Sequence, residues 1–183
     1  MIKVGDLVFV GGGGLIANAV KIVSAGRTYD LAKVPDHVAI VSAVYSDAVV
    51  LLEANFKRVE LVDLKIYSKC ILWFARMKEP RDIMTGLKWA HKHFGKRYDK
   101  MAIVGILARS VFRLFGPRIY DRVRFMKNLL NQKTAFFCSE LVSGYGRKTG
   151  KDLWRHPDSV TTPWDLKRSE EIEIYEVRYG NIK

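Results

Sequence analysis

Cys138 stands in Phe136-Phe137-Cys138-Ser139-Glu140-Leu141-Val142, between a short apolar run and a segment patterned like a helix. There it would meet the unpaired N–H groups and positive dipole end of the helix, which favour the thiolate and make a nucleophile at neutral pH. A nucleophile needs a base. Far upstream, Asp36-His37-Val38-Ala39-Ile40-Val41 opens a strand-like run with a histidine, and Leu51-Leu52-Glu53-Ala54 ends the next such run with a carboxylate. Cys138, His37 and Glu53 are thus the three parts of a thiol hydrolase, with nucleophile, general base and orienting acid.

Each residue has a plainer reading. A cysteine beside two phenylalanines can be a small buried hydrophobe, but Ser139 and Glu140 suit a first helical turn better than a buried strand. Cys70, in Lys69-Cys70-Ile71-Leu72-Trp73-Phe74, reads as core. His91 and His93 are two apart on a predicted helix and point to different sides, and His156 precedes a proline. None has metal-ligand spacing, so neither a metal nor another cofactor is expected. His37 alone sits at the mouth of a strand with an acid on the neighbouring strand, which would hold its imidazole in one tautomer. For Glu53 the competing reading is a surface pair with Lys57 or Arg58.

The elements must bring these groups together. Residues 4–10 read as a strand and 15–23 as a short helix, with Leu15, Ala19, Ile22 and Val23 on one side and Gly26 ending it. Residues 38–45 and 49–54 read as a hairpin around Ser46-Asp47. A three-residue loop over 45–47 makes facing residue numbers add to 92, so His37 lies opposite Asn55 and diagonal to Glu53, on one face. A two-residue loop would put them on opposite faces, so the triad requires an odd loop or a bulge. Residues 68–77 read as a strand. Pro80 and Asp82 open a helix through Lys88, Trp89, Ala90 and His91 towards Gly95. A helix follows from Cys138 to about Tyr145, Gly146 and Gly150 mark a loop, and 171–178 reads as a closing strand.

With 183 residues and 49% hydrophobic content the chain suits one domain, 1–183, and is no disordered protein. Two cysteines, both expected as free thiols, make no disulfide framework and no zinc spacing. Asp6 and the run Gly11 to Gly14 interrupt the N-terminus before a secretion signal forms. Residues 101–115 are apolar around Arg109 and Arg113 but fall short of the roughly 20 residues a membrane helix needs. That leaves a buried helix with an arginine edge, or an interfacial one. A cytoplasmic protein, associated at most with a membrane surface, is the expectation.

The net charge of +12, from 31 Lys+Arg against 19 Asp+Glu, concentrates in a basic helical segment at 101–133. There Arg109, Arg113, Arg118, Arg122, Arg124, Lys127 and Lys133 face only Asp121. This is either a solvated face or a surface for anionic lipid, polymer or nucleic acid. A non-enzymatic basic binding module is therefore the rival to the hydrolase. Nucleic acid is not an expected partner, because no recognised motif accompanies the basic run. A dinucleotide site has one foothold, Gly12-Gly13-Gly14-Leu15-Ile16-Ala17 with Asp36 further on, but the chain lacks the repeated strand-helix alternation of a doubly wound sheet.

Four motifs in order resemble the circularly permuted papain-like amidases of the YaeF/YiiX type, relatives of the NlpC-type cell-wall peptidases and of lecithin:retinol acyltransferase. They are Gly5-Asp6-Leu7-Val8-Phe9, Asp36-His37-Val38-Ala39-Ile40-Val41, Leu52-Glu53-Ala54 and Phe137-Cys138-Ser139-Glu140-Leu141-Val142. Arg97-Tyr98-Asp99 and Thr162-Pro163-Trp164-Asp165-Leu166 are weaker echoes. The order His, Glu, Cys is that of the permuted family; an unpermuted relative places Cys first. Asp36 departs from the small residue, often serine, found before the family's histidine, and residues 101–133 look like an addition. The resemblance implies an α+β, papain-like fold with an antiparallel sheet or barrel packed on the nucleophile helix. It further implies a cysteine hydrolase acting on an amide, ester or thioester, such as a cell-wall peptide or lipid-linked substrate, or an acyltransferase using the same thioester. Tyr98 is the candidate second oxyanion donor beside the backbone N–H of Cys138.

Overall fold

The computed structural model describes residues 1–13, 18, 21, 30–97, 137–154 and 161–180. Apart from residues 18 and 21, the predicted helix at 15–23 lies outside the described residues, as do Tyr98 and the basic segment at 101–133. Six strands form one sheet: β1 (Leu7–Gly11), β2 (His37–Val44), β3 (Val49–Ala54), β4 (Val59–Asp63), β5 (Ile71–Met77) and β6 (Ile172–Tyr179), in the order β4-β3-β2-β1-β5-β6. Each pairing is antiparallel. With three helices, α1 (Ile83–His91), α2 (Cys138–Lys148) and α3 (Pro163–Lys167), the described fold is mixed α and β. An antiparallel sheet gives the dinucleotide reading no parallel switch point, and Asp36 is instead engaged by the Gly12 N–H.

Both faces of the central strands are buried, which is why their sequences run nearly continuously apolar. Leu7, Phe9, Val38, Ile40, Leu52 and Ala54 pack with Leu141, Val142 and Tyr145 of α2. Their alternates Val8, Val10, Ala39, Val41 and Leu51 form a second cluster, against which Val62, Leu64, Tyr67 and Tyr175 pack. At the start of β1 the buried Asp6 carboxylate accepts from Arg76 Nε and Nη2, both at 2.7 Å, and from Tyr175 Oη at 2.8 Å. These bonds tie β1 to β5 and β6. Gly5 precedes it at φ +90°, where a Cβ would lie 2.5 Å from Ile83 Cγ2. Only glycine suits that turn.

The β2–β3 hairpin carries the geometry the site needs, by a route other than the simpler expectation. Ile40 faces Leu52 and Val41 faces Leu51, pairs whose numbers add to 92, as predicted. Beyond Ser42 the register shifts, and Ala43 faces Val50 and Val44 faces Val49. The loop holds four residues, 45–48, closed by Tyr45 N–H donating to Ala48 O at 2.8 Å, rather than three. An even loop alone would set His37 and Glu53 on opposite faces; the bulge at Ser42 restores the phase.

Asp82 caps α1, its side chain accepting from Thr85 N–H at 3.0 Å, at the boundary the sequence indicates. Against α1 packs α2, at a contact where neither helix has room for a side chain. A Cβ on Gly144 would lie 2.1 Å from Trp89 Cη2, and one on Gly86 2.4 Å from Thr149 Cγ2. Gly144→Val must displace the Trp89 indole and is expected to cost about 2–3 kcal/mol in urea unfolding. A loss below about 0.5 kcal/mol would contradict this packing.

Candidate active site

The site gathers at the end of the sheet where β2 begins. Asp36 fixes that end: its N–H donates to Val10 O at 3.0 Å, and its carboxylate accepts from Gly12 N–H at 3.1 Å. His37 is the first residue of β2 and pairs across with Val10. On the neighbouring strand Glu53 is 1% exposed, and its Oε2 lies 2.9 Å from His37 Nε2. Strand alternation and the bulge-corrected register bring the two together. The surface-pair reading of Glu53 is excluded, since Arg58 bonds Glu60 instead, Nε to Oε2 at 3.0 Å.

Cys138 is the first residue of α2, 5% exposed. Phe137 before it contributes no side-chain cap, so the helix begins with N–H groups uncovered by a side chain of its N-cap residue. Ser139 lies in the first helical turn, as its polarity suggests. It is fully buried, and its Oγ donates to Thr161 O at 2.7 Å, anchoring the start of α2 to the segment that leads into α3. A capping box between Thr162 and Asp165, with proline at the first turn, stiffens that segment.

Cys138 acts on the His37 ring from the start of α2. Because Glu53 holds Nε2, Nδ1 is the nitrogen left for the sulfur. Burial by itself pulls the His37 pKa down. The charge and hydrogen bond of Cys138, and then those of Glu53, outweigh it and hold the imidazole well above the usual 6.5. For Glu53 burial pushes upward, but the hydrogen bond and charge of His37, with hydrogen bonds from Tyr67 and Asn55, leave it below the ordinary carboxylate range. The arrangement therefore favours an imidazolium between a carboxylate and a sulfur.

Tyr67 completes the cluster and was not anticipated. It ends a 3-10 turn, Leu64–Tyr67, capped by Asp63, and its Oη donates to the same Glu53 Oε2 at 2.6 Å. Leu64-Lys65-Ile66-Tyr67 has no period that marks a partner for a buried acid; Asp63 as a turn opener is its one local signal. Strand β4 is likewise absent from the sequence reading, and β5 begins at Ile71 rather than 68. Cys70, in the bend before β5, is half-buried and packs against the second core cluster, with burial, then the Asp36 carboxylate, pushing its thiol up.

Both cysteines are free thiols. Among the described residues no group of three His, Cys, Asp or Glu could hold a metal ion, and no helix is long and apolar enough to cross a membrane. His91 bonds Ser42 Oγ through Nε2 at 2.8 Å, and His93 bonds Trp89 O through Nδ1 at 2.8 Å. The chain matches no protein-family model, and comparison with curated proteins gives no significant match.

Proposed function

We propose that this chain is a thiol-dependent hydrolase, a permuted papain-like amidase that cleaves an amide, ester or thioester through an acyl-enzyme. The observation that carries this reading is the His37 imidazole held by the buried Glu53 carboxylate at 2.9 Å, with Cys138, the first residue of α2, the strongest of the influences that raise it. The chain order of the three residues and the antiparallel sheet beside α2 support it.

In this mechanism His37 Nδ1 takes the Cys138 proton while Nε2–H stays on Glu53. The thiolate attacks the carbonyl carbon, and the Cys138 N–H stabilises the resulting oxyanion, with Tyr98 as candidate second donor. The imidazolium then protonates the leaving group, and the carbonyl reforms as a thioester. Water, deprotonated by His37, attacks the thioester and the Cys138 sulfur leaves. An acceptor other than water at this last step would make the same site an acyltransferase.

Iodoacetamide labelling tests the nucleophile without knowledge of the substrate. At pH 7 Cys138 should label at least about tenfold faster than Cys70, and His37→Ala should remove that advantage. Equal rates in the native protein would end the proposal.

A further inference from the structure

We infer that Tyr67 is a positioning residue of the site, holding the Glu53 carboxylate that in turn holds His37; this rests on the Cys-His-Glu reading above. A buried carboxylate tends to take up a proton, and a neutral Glu53 would no longer support the imidazolium. Tyr67 Oη donates to Glu53 Oε2 at 2.6 Å, on the oxygen that also faces His37 Nε2. Burial, then the negative charge of Glu53, push the phenol far above its usual range, so Tyr67 remains a donor throughout the working pH range. The choice of a phenol has a physical logic. A lysine or arginine there would also hold Glu53 ionised, but its positive charge would repel the imidazolium; a neutral donor stabilises the carboxylate without competing for it. Its ring stands 6.0 Å from the imidazole, tilted by 38°, and so also walls the histidine.

Few other titratable groups act on the pair among the described residues. Cys138 faces His37 from α2, and Cys70 approaches from the bend before β5. Glu60 of β4 lies directly across from Glu53, with its own carboxylate engaged by Asn55 and Arg58.

The test is the pH profile of Cys138 alkylation by iodoacetamide in the full chain, for wild type, Tyr67→Phe and a chain carrying 3-fluorotyrosine at 67. Wild type against His37→Ala is run first; if His37 has no influence, the underlying hydrolase reading fails and not merely this inference. Granted that influence, Tyr67→Phe should move the acid limb of the profile about one pH unit upward, because Glu53 loses a donor to its charged form. The more acidic fluorophenol, a stronger donor, should move it downward. A Tyr67→Phe profile that overlays wild type overturns the inference. So does a lower plateau with an unmoved acid limb, since that would be packing alone, and so does a fluorotyrosine shift in the upward direction.

Discussion

Cys138→Ala is expected to lose turnover of a chromogenic thioester or anilide by about ten-thousand-fold or more while the fold persists. The sulfur is the proposed point of covalent attachment, and the other thiol, Cys70, lies in the bend before β5 with its pKa raised. Loss of one buried sulfur atom leaves a small void, so unfolding should change by only about 1 kcal/mol. The same variant reports on the base. Cys138 is the largest of the influences that raise His37, so the imidazole should titrate lower in the variant, as read by NMR of its ring protons. A group raised on folding contributes stability that is complete below its unfolded value of about 6.5 and is lost as pH climbs through the folded value. In Cys138→Ala that loss should therefore come at lower pH than in wild type. Activity retained in the variant would rule out the thiol mechanism.

Glu53→Gln should separate catalysis from stability. Removing the carboxylate leaves His37 without its charge partner and free to adopt the wrong tautomer, for which a fall in kcat/KM of about a thousand- to ten-thousand-fold is the expected scale. Stability near pH 7 should change by no more than about 1–2 kcal/mol, because the attraction lost is offset by the burial cost of the charge. His37 can shed its proton, so no uncompensated charge is stranded. Acid unfolding gives the sign. Glu53 is lowered on folding, so its contribution is present above the unfolded value of 4.5 and is lost as pH falls through the folded value. Wild type should therefore lose more stability than Glu53→Gln on acidification through that range. A variant that keeps full turnover would leave Glu53 with a packing role only.

What the sequence made legible here was local or periodic. The cysteine at a helix start, the strand-mouth histidine and the acid one strand away can be read from neighbours and alternation, and α1 opens at Asp82 where its cap chemistry indicates. The rest depends on contacts far apart in the chain. Tyr67 meets Glu53 only because the turn after β4 folds back over β3, and nothing in its own residues announces that. The start of β2 is held by Asp36 through Gly12, a partner that only the sheet supplies. Ser139 lies in the first helical turn as its sequence suggests, but its hydroxyl partner, the backbone oxygen of Thr161, is delivered by a distant segment. Short β4 was hidden by Glu60 and Asp63, which interrupt its apolar run.

The bulge at Ser42 makes the hairpin a counted device. Four loop residues and one extra residue in β2 are separately the wrong parity and jointly the right one, so the segment 42–48 behaves as a single unit of fixed length. Lineages or engineered variants can lengthen or shorten this hairpin only by compensated steps, an inserted residue in the loop matched by loss of the bulge. The tip itself is free to diversify in composition, since Tyr45 and its neighbours are exposed, while its length is answerable to an imidazole at the other end of the strand.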